Sequence, residues 1–138
     1  MASSGTDSTG QNQSIKVGSP LIYNLPTPAN YAAGAQTYLA ADIVGGIITH
    51  PAGTSTGQLP TATAIASILR GGGTPLNIGD TIECLILNSA AGTLTLLLGA
   101  GMSFDTGGSG LIPANNSKYC QFRFTGVTPG AETCVLYS

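Results

Sequence analysis

The sequence predicts a mainly-β fold: an antiparallel β-sandwich or barrel of jelly-roll-like form, with one short helix and an extended N-terminal arm. Three observations lead there. Short β-prone runs recur at roughly ten-residue spacing, separated by Gly- and Pro-containing turns. Only residues 61–70 carry a helical period. After Met1 and Ala2 the first 14 residues are Ser, Thr, Gly, Gln and Asn with the one acid Asp7 and no further apolar residue, a composition that cannot build a core of its own. The 138 residues therefore divide into an arm, 1–30, and one β-rich domain, 31–138, large enough to fold without a disulfide or metal.

Composition narrows the classes of function. Only 7% of residues are charged, against roughly 25% in an ordinary soluble domain. Such a chain has little charge with which to keep a free surface solvated, which points to life in a tight assembly. Lys16, Arg70, Lys118 and Arg123 are scattered, whereas a nucleic-acid surface needs clustered cations. No nucleic-acid partner is expected. The N-terminus lacks the basic and apolar regions of a signal peptide, and no apolar run approaches a membrane span, so no membrane partner is expected either. Cys84, Cys120 and Cys134 are odd in number and irregular in spacing. They read as free buried thiols made in a reducing compartment.

Taken in order, residues 15–25 contain β-prone pieces in which Ile15, Val17, Leu21 and Tyr23 share one parity. Pro20 offers no N–H, so this is an edge strand or extended arm. Residues 36–50 carry the next β signal, where Gly45-Gly46 between two apolar pairs suggests a bulge or close backbone approach. In residues 61–70, Ala62, Ile65, Ala66 and Leu69 form a helical stripe. Thr61 or Thr63 is a candidate N-cap, Arg70 suits the last turn, and Gly71-Gly72-Gly73 stops the helix. About ten residues are marginal alone, so the helix must dock. The apolar face of Leu85 and Leu87 is its candidate site.

Residues 80–99 read as the centre of the fold. Ile82, Cys84 and Ile86 share one face, but Leu85 and Leu87, and then Leu96, Leu97 and Leu98, make the run apolar on both. A strand of that kind needs cover on both sides. The turn-like residues 88–92 suggest an antiparallel hairpin. A Gly-rich excursion follows, anchored by Met102 and Phe104. Residues 117–125 form a half-buried strand with Cys120, Phe122 and Phe124 on one side and Tyr119, Gln121, Arg123 and Thr125 on the other. Residues 132–137 close the sheet.

No catalytic, cofactor or metal site is expected. His50 is the one histidine and has no ligand-spaced partner. The cysteines form no CxxC pair, and nothing in the spacing brings His50 to one of them. Asp80 and Glu83 fall on opposite faces of a strand, and Asp80 suits a turn cap. The Gly-rich segments lack the residues of a phosphate cradle. Asn12-Gln13-Ser14 and Asn115-Asn116-Ser117 match the glycosylation pattern, which carries no weight without a secretion signal.

Residues 59–62 (LPTA) with the helix after them, then GDTIECLILNSAAGTLTLLLGAGMSF, then IPANNSKYCQFRFTGVTPGAETCVLYS, together resemble the capsid decoration (cement) and head-fibre class of tailed-bacteriophage structural proteins. The resemblance spans roughly residues 41–138 and is a pattern of turns and strands rather than a catalytic signature. It implies a virion protein on the outer capsid surface, made in the host cytoplasm, that binds the major capsid protein, bridges its subunits and is commonly a homotrimer. It transfers no contact residues. From the residues themselves, Ile15, Val17, Leu21 and Tyr23 are the candidates for capsid or subunit contact. Leu85, Leu87 and Leu97 are the candidates for oligomer or helix packing. The main alternative is a host-attachment or carbohydrate-binding fibre module, for which Tyr23, Tyr31, Tyr38, Tyr119 and Tyr137 are the available aromatics. A self-assembling shell or pilus-like subunit comes next and an enzyme last.

Overall fold

The computed structural model describes residues 27–73 and 75–138. In chain order the elements are β1 (Ala29–Asn30), β2 (Gln36–Thr37), α1 (Ala40–Gly45), β3 (Ile47–Thr49), β4 (Ser55–Gln58) and α2 (Ala62–Gly71). They continue with β5 (Thr81–Asn88), β6 (Leu94–Leu97), β7 (Met102–Phe104), β8 (Leu111–Ile112), β9 (Asn116–Gly126) and β10 (Thr133–Tyr137). Among the described residues strand holds 40% against 14% helix, and the two sheets do not close into a barrel. The mainly-β class read from the sequence therefore holds.

One sheet has six strands in the order β1-β3-β5-β9-β10-β7, the other four in the order β2-β4-β6-β8. Their inner faces share a single hydrophobic core. The period-two pattern of β9 buries Cys120, Phe122 and Phe124, and register carries that face sideways. Ile82, Phe122, Leu136 and Phe104 lie in one row across four strands. Leu94, Leu96 and Ile112 are the buried apolar side chains of the smaller sheet.

From β1 to β9 successive strands alternate between the sheets. The first six wind around the core, each new strand lying parallel beside the one laid down two strands earlier. Five of the eight pairings are parallel, β10–β7 being the fifth. The other three, β5–β9, β9–β10 and β6–β8, are antiparallel. This winding overturns the hairpin expected within residues 80–99. β5 and β6 lie in opposite sheets, and residues 88–92 carry the chain between them.

Asn88 holds that crossing. Its buried side chain donates to the carbonyls of Gly92 (2.7 Å), Ile112 (3.2 Å) and Pro113 (3.2 Å), and accepts from the Ala90 N–H (3.2 Å). A buried amide is stable only when bonded, and here its bonds tie β5 to the segment after β8.

α2 forms where its stripe predicts. The Thr61 hydroxyl accepts from the Ala64 N–H at 3.0 Å, an N-cap bond. Ala62, Ile65 and Ala66 enter the core. The helix packs against α1 and β10, not on Leu85 and Leu87. α1 departs from the sequence expectation, because its Ile43-Val44 pair reads as strand. Gly46 ends it at φ 94°, its N–H bonding the carbonyls of Asp42 and Ile43. That left-handed stop belongs to glycine. The Leu39 N–H at the other end bonds the Tyr31 hydroxyl (2.8 Å), which donates to Asp42 Oδ2 (2.5 Å). A residue outside the helix thus organises its first turn.

Candidate functional site

Strand alternation sends one set of side chains inward and the other to the outer face of each sheet. On the six-stranded sheet, register places Ile47, Leu85 and Tyr119 in one outward row. The neighbouring rows are Glu83, Gln121 and Tyr137, and Thr49, Leu87 and Ser117. Ile47, Leu85 and Leu87 are half-buried, while Tyr119 is 62% and Tyr137 37% exposed. The acid on these rows, Glu83, accepts a hydrogen bond from Gln121 at 3.2 Å. The outer face of the four-stranded sheet carries Thr95, Leu97 and Leu111, with Leu97 42% and Leu111 52% exposed. Chemically these faces offer aliphatic and aromatic area beside hydrogen-bonding groups, with Glu83 and, one row further, Arg123 as the charged residues on the larger face.

The interior polar groups are committed elsewhere. His50 is fully buried. Its Nε2 lies 2.7 Å from the Gly34 carbonyl and its Nδ1 2.7 Å from the Tyr38 hydroxyl. A carbonyl can only accept, so Nε2 carries the proton and Nδ1 accepts from Tyr38. Burial drives the Tyr38 phenol well above its ordinary range. The bond joins Tyr38, just past β2, to His50, just past β3, and so ties the two sheets. A Cβ at Gly57 would run into the Tyr38 ring, so only glycine fits beside it.

Among the described residues, Glu132 is the buried carboxylate. It forms an ion pair with Arg70, the last-turn cation of α2, and accepts from the Thr63 hydroxyl at 3.0 Å. Arg70 Nη2 also donates to the Val127 carbonyl at 2.6 Å. Burial pushes the Glu132 carboxyl up, but the bonds from Arg70, from its own backbone and from Thr63 together outweigh it, leaving the group below its ordinary 4.5. This cluster fastens α2 to the β9–β10 loop.

Cys84, Cys120 and Cys134 are free and buried, as their spacing suggests. Burial pushes their thiols up to about 12, 11 and 11. Neutral buried thiols are poor nucleophiles and poor ligands. Cys84 and Cys120 face each other across β5 and β9. Asp80 caps a turn, accepting from the Asn77 N–H at 2.8 Å.

The sequence-derived contact residues separate into three groups. Leu85 and Leu87 come together on the outer face of the six-stranded sheet. Leu97 lies apart from them, on the outer face of the other sheet. Ile15, Val17, Leu21 and Tyr23 lie outside the described residues. Ile47 and Leu111 also belong to these faces. Residue pattern alone could not find them, because their direction depends on which strands pair. Among the described residues, no helix is long and apolar enough to cross a membrane. Comparison with protein-family models, with curated proteins and with solved structures finds no match to this chain.

Proposed function

We propose that this chain is a non-enzymatic virion structural protein, a decoration or cement protein that binds the outer surface of a phage capsid and bridges major capsid subunits. The supporting observation is the pair of outward sheet faces, with Leu85, Leu87 and Tyr119 on one and Leu97 and Leu111 on the other. They offer largely apolar contact area with few charges, while His50, Asn88 and Glu132 use their polar atoms inside the fold. Cementing a shell needs contact area and fixed geometry, on the order of 1,200 Å² or more of total buried surface for a specific interface, and no titrating group. A homotrimer built through one of these faces and anchored by residues of the arm is the arrangement we favour. The resemblance of residues 41–138 to phage decoration proteins points the same way.

The test is cosedimentation of purified protein with expanded phage capsids, followed by heating the capsids with and without it. Binding together with raised heat resistance supports the proposal, and failure of both removes it. A second reading, a carbohydrate-binding fibre module, is favoured by Tyr119 and Tyr137 flanking Gln121 on one outward face. Aromatic faces and amides of this kind suit sugar rings. A glycan-binding screen in which Tyr119→Ala and Tyr137→Ala each abolish a signal would select that reading instead.

A further inference from the structure

The outer face of the six-stranded sheet carries an anion and a cation at a fixed offset. Glu83 on β5 pairs with Gln121 on β9, and Arg123, two residues further along β9, pairs with Thr81. The two charged residues therefore stand on adjacent strands one outward row apart, and both are exposed. Among the described residues the ion pair is that of Arg70 with Glu132, so Glu83 and Arg123 close no bridge with each other or with a neighbour. Tyr119, Val135 and Tyr137 lie around them. Glu83 and Tyr119 also line a shallow groove of about 270 Å³ with Gly45, Gly46, Ile47 and Leu85. The smaller outward face differs. Its Thr56, Gln58, Thr95, Leu97 and Leu111 carry no charge, so nothing on it fixes one register of contact over another.

We propose that the larger face is covered by a second copy of the same chain, with Glu83 of one copy against Arg123 of the next. This deepens the reading above and rests on its claim that copies join through a sheet face; it names that face and its contact. The argument is charge complementarity within a single surface. A copy laid on the face with like residues opposed sets Glu83 on Glu83, which repels. Shifted by the Glu83–Arg123 offset, it sets each charge on its opposite. In a closed ring of copies every chain gives one Glu83 and takes one Arg123, so neither charge is buried alone, which is the costly case. The incoming guanidinium enters the groove, where it meets the Glu83 carboxylate and the Tyr119 ring, two partners that arginine favours. Tyr119 is 62% and Tyr137 37% exposed, and tyrosine with arginine is what the centres of protein interfaces are rich in. Six strands about 4.8 Å apart and the eight residues of β5 bound the face to roughly 29 by 27 Å. Two facing copies thus cover at most about 1,500 Å² in all, just above the roughly 1,200 Å² of a specific interface, so the contact takes in both tyrosines as well as the charges. Leu97 and Leu111 stay outside it, available to the capsid.

The experiment is native mass and sedimentation equilibrium on the full chain, beside Glu83→Arg, Arg123→Glu and the double variant carrying both. The native chain is expected to be an oligomer. Each single reversal sets like charges together and should raise the dissociation constant at least about tenfold. The double reversal exchanges the two charges and should return it to within about threefold of the native value, with circular dichroism unchanged throughout. A role confined to one chain would alter stability and leave the mass alone. A monomeric native chain overturns the proposal, as do single reversals that leave the mass unchanged and a folded double variant that stays monomeric. Dissociation by Leu111→Arg but by neither reversal places the contact on the smaller face and equally overturns it. Should one single variant melt, the other and the double variant decide, since both positions are exposed. Capsids are absent throughout, so failure here and failure of the capsid assay are separate results.

Discussion

The antiparallel block β5-β9-β10 and the winding block β1–β4 are built on different principles. In the first, strands of 8, 11 and 5 residues repeat an inward–outward pattern, and the inward residues Ile82, Phe122 and Leu136, Cys84 and Cys120, and Phe124 and Cys134 are apolar neighbours in register. In the second, strands of 2, 2, 3 and 4 residues are too short to declare a period. They stay in place through single side chains: Tyr31 at the start of α1 and Tyr38 on His50. Asn88 does the same at the junction of the blocks. Long strands spread their stability over many apolar contacts, whereas short ones concentrate it in a few buried hydrogen bonds.

The contrast can be broken at either block. Phe122→Ala opens a cavity at the centre of the antiparallel block, where Phe122 meets Ile82 and Leu136 in register. We expect the largest loss here, about 3–5 kcal/mol, measured by denaturant unfolding with an unchanged m-value. Asn88→Ala leaves the carbonyls of Gly92, Ile112 and Pro113 without their donor, and we expect a loss of about 2–3 kcal/mol. Hydrogen exchange sharpens this case: opening should be concentrated in β6 and β8, with β9 still protected. Tyr38→Phe leaves His50 Nδ1 buried without a donor, for an expected loss of about 1–2 kcal/mol. An equal and uniform effect of Tyr38→Phe and Phe122→Ala across all amides would show that the two blocks are not held differently.

The last prediction concerns a slope against pH. Glu132 has a carboxyl lowered in the folded state. A lowered acid stabilises the fold fully above its ordinary value near 4.5 and loses that contribution as pH falls through the lowered one. Unfolding free energy of the native chain should therefore drop as pH is taken below about 4.5. Glu132→Gln, which keeps an acceptor for Thr63 but removes the charge facing Arg70, should show a flatter profile there. An unchanged slope in the variant would count against the ion pair as its source.

The two blocks also differ in how much of each is legible in the amino-acid sequence. β9, β10 and α2 are legible because each repeats a period over enough residues for the apolar set to point one way, and Thr61, Arg70 and the glycines after them mark the ends of α2. The outward direction of Tyr119 follows from the same alternation. α1 is illegible because β-branched Ile43 and Val44 argue locally for strand, while the Tyr31 bonds that support the helix come from outside it. The expected hairpin fails for a related reason. Residues 88–92 have turn chemistry, and turn chemistry does not state which sheet receives the next strand.

Composition and local period are therefore enough for the mainly-β class, the capped helix, the three free buried thiols and the scarcity of charge. Each of these is a property of composition or of a period carried within one segment. The winding between sheets, the separation of Leu97 from Leu85 and Leu87, and the place of His50 come from the folded arrangement instead. Those depend on pairings between residues distant in the chain, where the free energy of closing a loop is offset by contacts that no single segment contains.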